Sequence, residues 1–99
     1  MSKVYVKTMT RGRDRVVAVC DEEILGETLE GGKAPFKVSE GFYRGTLGEV
    51  DEAIAAMRQA TICNLVGKAI VEAAIECNMV HERAVIYFGD IPHAQIVKF

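Results

Sequence analysis

Polar and apolar residues alternate from Lys3 to Met9, with Val4, Val6 and Thr8 on one side and Tyr5, Lys7 and Met9 on the other. A period of two marks a β-strand. Arg15–Cys20 (RVVAVC) is apolar on both sides, as in a central strand buried on two faces. Between them, Thr10-Arg11-Gly12-Arg13-Asp14 supplies a turn in which Gly12 is free to take positive φ. The pattern predicts a hairpin with a basic tip. Asp21–Leu29 opens with an N-cap candidate, Asp21, and acids in its first turn, which predicts a short helical turn stopped near Gly31-Gly32. Pro35–Val38 predicts a short extended piece at an edge, because proline lacks a ladder donor. Gly41–Leu47 predicts another short strand or a turn.

The second half switches to helical spacing. Val50, Ala53, Ile54 and Met57 predict a helix over Glu49–Gln59, its acidic first turn suited to the helix dipole. Ile62, Leu65, Val66, Ala69, Ala73, Cys77 and Val80 form one stripe and predict a longer helix over Thr61–Met79. Asn64, Lys68, Glu72 and Glu76 step along another side of it, and Val71 and Ile75 fall among them as a second apolar face. Ala84–Phe88 and His93–Phe99 predict two final strands joined by a Gly89-Asp90-Ile91-Pro92 turn. The order β-β, small pieces, α-α, β-β argues for a single α+β domain over residues 1–99, a mostly antiparallel sheet covered on one face by two helices.

Composition narrows the class. With 49% hydrophobic and 26% charged residues over 99 positions, the chain can bury a core without staples. No apolar run approaches the roughly 20 residues that span a bilayer, and MSKVYVKTMT lacks the apolar stretch of a signal peptide, so a cytoplasmic protein without membrane contact is expected. Three cysteines, an odd number with no CxxC, suggest reduced thiols, with Cys63 and Cys77 expected on one helix as core. The net charge of −2 hides an asymmetry. Residues 1–15 carry five cations against one acid, and the remainder seven against thirteen. A globally basic nucleic-acid binder is disfavoured, while a local basic patch at the hairpin is compatible with the pattern.

The candidate chemistry is sparse. A Cys20–His93 pair is the one nucleophile–base combination, and nothing in the sequence brings the two together, so a buried inert thiol is the simpler reading. Two histidines without clustered cysteines offer no metal-ligand spacing, and no cofactor motif is present. Glu30-Gly31-Gly32-Lys33 lacks the spacing of a phosphate loop. Arg11, Arg13 and Arg15 suit phosphate contacts. Tyr43 with Arg44, and His93 with Gln95, suit stacking or base-edge contacts, and Asn64 with Lys68 forms a polar patch on the long helix. The Val71/Ile75 face suits a homodimer or another protein partner, or burial against Val50, Ile54 and Met57.

Three stretches together, Ala60–Gly67 (ATICNLVG), Gly89–Gln95 (GDIPHAQ) and Val19–Gly26 (VCDEEILG), resemble an archaeal family known as domain of unknown function 424. The resemblance covers nearly the whole chain, and Pro-His-Ala-Gln is its most specific element. It implies an archaeal, cytoplasmic, single-domain protein with no established activity and a tie to translation. The reading that follows is a non-catalytic RNA- or ribosome-associated module docked by Arg11, Arg13 and Arg15 and oriented near His93 and Gln95. The alternative is a protein-interaction or homo-oligomeric module, with a Cys/His enzyme last.

Overall fold

The structure, a computed structural model, describes residues 2–99. Strands β1 (Lys3–Arg11) and β2 (Asp14–Asp21) form the expected hairpin, in register from Val4↔Asp21 to Arg11↔Asp14. Gly12, at φ +61°, takes the first central position of the two-residue turn, where a type II′ turn requires glycine.

The chain then builds a small outer layer. A 3-10 turn (Glu22–Ile24) leads to a two-stranded ribbon of β3 (Thr28–Leu29) and β4 (Phe36–Lys37). The Gly41–Leu47 stretch resolves into the end of a one-turn helix and the start of a strand. Helix α1 (Glu40–Tyr43) is capped by the Ser39 hydroxyl, which accepts from Phe42 N at 3.3 Å, and β5 (Thr46–Glu49) pairs with β1. Helix α2 (Val50–Arg58) begins with the Glu52 carboxylate accepting from Glu49 N at 2.8 Å.

Residues 61–79 depart from expectation. They form strand β6 (Ile62–Val66), a break at Gly67, and helix α3 (Lys68–Glu76). The apolar stripe mimics helical spacing because β6 lies between two strands and, Asn64 apart, is apolar on both faces, and α3 continues the run with its own buried side. Cys63 and Cys77 therefore share no helix. Cys63 is buried on β6, while Cys77 is exposed just beyond α3. The final hairpin joins β7 (Ile86–Phe88) to β8 (Ile91–Val97).

The main sheet runs β5-β1-β2-β6-β8-β7, and every adjacent pair is antiparallel except β2–β6. Strands before α2 make one half of it and strands after α2 the other, so the parallel β2–β6 ladder is the seam. The fold is α+β as expected. Helices α2 and α3 cover the inner face through Ala53, Met57, Ile70 and Val71, packed on Val4, Val17, Val19, Cys63 and Leu65. The ribbon and α1 cover part of the outer face, over Ala18, Cys20 and Val66. Among the described residues no helix is long and apolar enough to cross a membrane.

Candidate nucleic-acid interface

Register decides which polar side chains meet. Lys7, Ala18, Asn64 and Gln95 are successive cross-strand partners on β1, β2, β6 and β8, so their side chains emerge in one row on the outer face. The row crosses three strand spacings, about 14 Å. Its neighbouring row is Met9, Val16, Ile62 and Val97. The apolar cluster beneath the small outer layer does not include Ile62 or Val97, and Gln95 and Val97 are exposed. The β8 end of both rows is open, while Ala18 and Val16 are buried and Lys7 Nζ donates to Gly41 O at 2.6 Å.

The backbone pattern also fixes the Asn64–Gln95 relation. Gly67 N donates to Pro92 O at 2.9 Å and Lys98 N donates to Thr61 O at 2.8 Å. The hydrogen-bonded pairs of β6 and β8 are therefore the odd residues of β6. Asn64 and Gln95 form a non-hydrogen-bonded pair, the kind that brings side chains closest.

The three hairpin arginines do not act as one group. Arg11 continues the outer-face alternation of Lys7 and Met9, and its guanidinium lies 5.8 Å from the centre of the Phe42 ring. Arg13 sits in the turn. Arg15 pairs with Thr10 on the opposite face. All three are exposed, and among the described residues none is in an ion pair. Asp14, the cross-strand partner of Arg11, accepts instead from the Thr61 hydroxyl at 3.0 Å.

Other expected site residues sit elsewhere. Tyr43 is buried and unavailable for stacking; the ring beneath Arg44 is that of Tyr5, at 5.9 Å. Lys68 opens α3 on the inner side and pairs with Asp90 at 3.2 Å, so it shares no patch with Asn64. Val71 is buried in the inner core with Ile54 and Met57, and Ile75 and Val50 pack against that core, which is the burial alternative of the two readings.

His93 stands on the outer face, two residues from Gln95. Its ring meets Phe36 edge-on at 5.1 Å and Phe88 at 6.2 Å, and burial holds it below the ordinary histidine range. Cys20 is on the same face, but β6 intervenes, since Cys20 pairs with Val66 and Val66 with His93. Two strand spacings, about 10 Å, exceed hydrogen-bond reach. Burial first, then the Asp21 charge, push the Cys20 thiol up to about 12, which leaves no thiolate near neutral pH.

A helix N-terminus beside a parallel strand pair commonly receives an anion. Here the chain fills that place itself. Asp21, buried at the end of β2, accepts from Ala69 N at 2.8 Å and Ile70 N at 3.1 Å. Desolvation raises its carboxyl above the usual range, opposed by those two hydrogen bonds. Among the described residues no group of three His, Cys, Asp or Glu side chains could hold a metal.

One feature escaped sequence reasoning. The Gly31–Phe36 loop and β7 enclose a cleft of about 730 Å³. Ile86 and Tyr87 flank it, 56% and 57% exposed. The Ala84–Phe88 pattern, apolar throughout, gave no sign that β7 is an edge strand.

The family described as "Protein of unknown function (DUF424)" matches residues 8–99. A crystal structure of an uncharacterized conserved protein from Methanopyrus kandleri is similar throughout, with TM-score 0.81 and 26% identity over 98% of this chain and 94% of that one. None of the curated proteins matches.

Proposed function

The chain belongs to this DUF424 family of proteins of unknown function, and we propose that it is a non-catalytic module that binds single-stranded RNA, free or within a ribosome, on the open part of its outer sheet face. The observation that carries the reading is the Asn64–Gln95 pair at the open end of the row that starts at Lys7 and Ala18, with Arg11 and Arg13 at the hairpin margin. Two adjacent side-chain amides offer donors and acceptors to base edges. Ile62 and Val97 offer apolar contact beside them. Guanidinium groups match phosphate oxygens. An archaeal cytoplasmic setting belongs to the same reading, and three free cysteines together with the Methanopyrus kandleri relative support it.

With a net charge of −2 the attraction is local. Fluorescence anisotropy of a labelled single-stranded RNA, titrated across a salt series, tests the proposal. Each phosphate contact contributes a slope of about −0.7 in log affinity against log salt. Arg11→Ala and Arg13→Ala each flatten the slope by about that amount, and Arg15→Ala, on the other face, leaves it unchanged. Absence of binding at low salt overturns the proposal, as does equal loss from all three replacements.

A further inference from the structure

We propose that strand β7 is a homodimer edge at which a second copy of this chain pairs antiparallel about a two-fold axis opposite Tyr87. Among the described residues β7 ends the main sheet and pairs with β8 alone. Its free hydrogen-bonding groups can be located. Pro92, the partner of Tyr87, has no N–H, and its carbonyl accepts from Gly67 on the β6 side. Tyr87↔Pro92 is therefore a non-hydrogen-bonded pair, and both main-chain groups of Tyr87 point away from β8. A residue with both groups directed outward at the middle of a three-residue edge can pair with its own copy. Each Tyr87 N–H then donates to the other Tyr87 carbonyl, and the axis passes between them.

Side chains agree with this axis. Antiparallel pairing about Tyr87 sets Ile86 of one copy opposite Phe88 of the other, both on the outer face. The cleft along β7 leaves space for Ile86 of the second copy beside Phe88 and Phe36. No charge lies within Ile86–Phe88, so no like charges meet across the axis. One cation and one anion flank the strand in positions that antiparallel pairing brings together. Arg83, next to the exposed Glu82, precedes β7 and is exposed without an ion pair among the described residues, while Asp90 follows it, with a side chain 82% exposed that Lys68 meets at 3.2 Å from outside the edge. Antiparallel pairing brings Arg83 of each copy toward Asp90 of the other. An extended peptide of different sequence would match the main chain but lack this twofold charge match.

Light scattering and sedimentation of the full chain over a concentration series test the proposal, together with disulfide capture. In a Cys77→Ser background, Tyr87→Cys gives a disulfide-linked dimer on mild oxidation, because Cα atoms of a hydrogen-bonded pair lie roughly 5.5 Å apart. Leu47→Cys, on the exposed opposite edge, gives none above the unoxidised level. Tyr87→Lys sets two cations across the axis and weakens dimerisation roughly tenfold or more. Arg83→Glu weakens it and Arg83→Glu with Asp90→Arg restores it, while circular dichroism confirms that each variant is folded. A chain monomeric at all concentrations without Tyr87→Cys capture overturns the proposal. So does a dimer indifferent to Tyr87→Lys, or one captured through Leu47→Cys.

Discussion

Asp21 ends where a side chain on Gly67 would begin: a Cβ built on Gly67 would overlap the Asp21 carboxyl group. Gly67 occupies the N-cap position of α3 at φ +121° and has no side chain to cap with. Asp21 caps the helix from the neighbouring strand. The absence of one side chain and the presence of the other are a single arrangement.

Gly67→Ala meets both a forbidden φ and a buried carboxylate, and destabilises the chain by about 3 kcal/mol or more. Asp21→Ala leaves the N–H groups of Ala69 and Ile70 unpaired and costs about 2–3 kcal/mol. Urea unfolding curves read both. A loss below about 0.5 kcal/mol for either contradicts the capping arrangement.

His93 gives the fold an acid sensitivity of known sign. Burial lowers its folded-state pKa, so the unfolded chain takes up the proton first as pH falls. Its contribution is fully present above the ordinary histidine range, near pH 6.5, and is lost as pH falls through the depressed value. His93→Phe keeps a ring against Phe36 and Phe88 and flattens the stability profile in that window. NMR titration of the ring checks the direction directly; a midpoint above 6.5 contradicts it.

The three thiols differ sharply in reactivity. Cys20 and Cys63 are buried with raised pKa, whereas Cys77 is exposed. A thiol reagent near neutral pH modifies one cysteine in the native chain and all three in denaturant. Native modification at Cys20 or Cys63 contradicts the burial described.

Asn64→Ala and Gln95→Ala each weaken binding of the preferred RNA roughly threefold to tenfold and leave the salt slope unchanged, because amides contact bases and not phosphates. Anisotropy titrations with two RNA sequences separate the effects. A changed slope would show that these residues act only through packing at the basic margin.

The first hairpin and α2 were legible from local patterns, because periods of two and 3.6 were each carried by several residues with a turn between them. Ile62–Val66 was not legible. A buried strand running into a buried helix keeps one continuous apolar stripe, and Gly67 was the sole local sign of the break. Asp21 looked like the cap of its own following turn, yet it caps a helix 48 residues away. Spatial capping leaves no trace in spacing. Asn64 and Gln95 were picked out individually, but as members of a helix and a strand. Only the β6–β8 register makes them neighbours. Arg15 was grouped with Arg11 because sequence distance hides the pleat.

The position of the β2–β6 seam makes this chain divisible. Residues before the short Gln59–Thr61 connection supply β5, β1 and β2 with α2, and residues after it supply β6, β8 and β7 with α3. Cleavage there would sever no ladder, and Asp21 would still bridge the two pieces. Fragments expressed separately should reassemble by zipping β2 to β6, with the Asp21 carboxylate as the latch that recognises the incoming half.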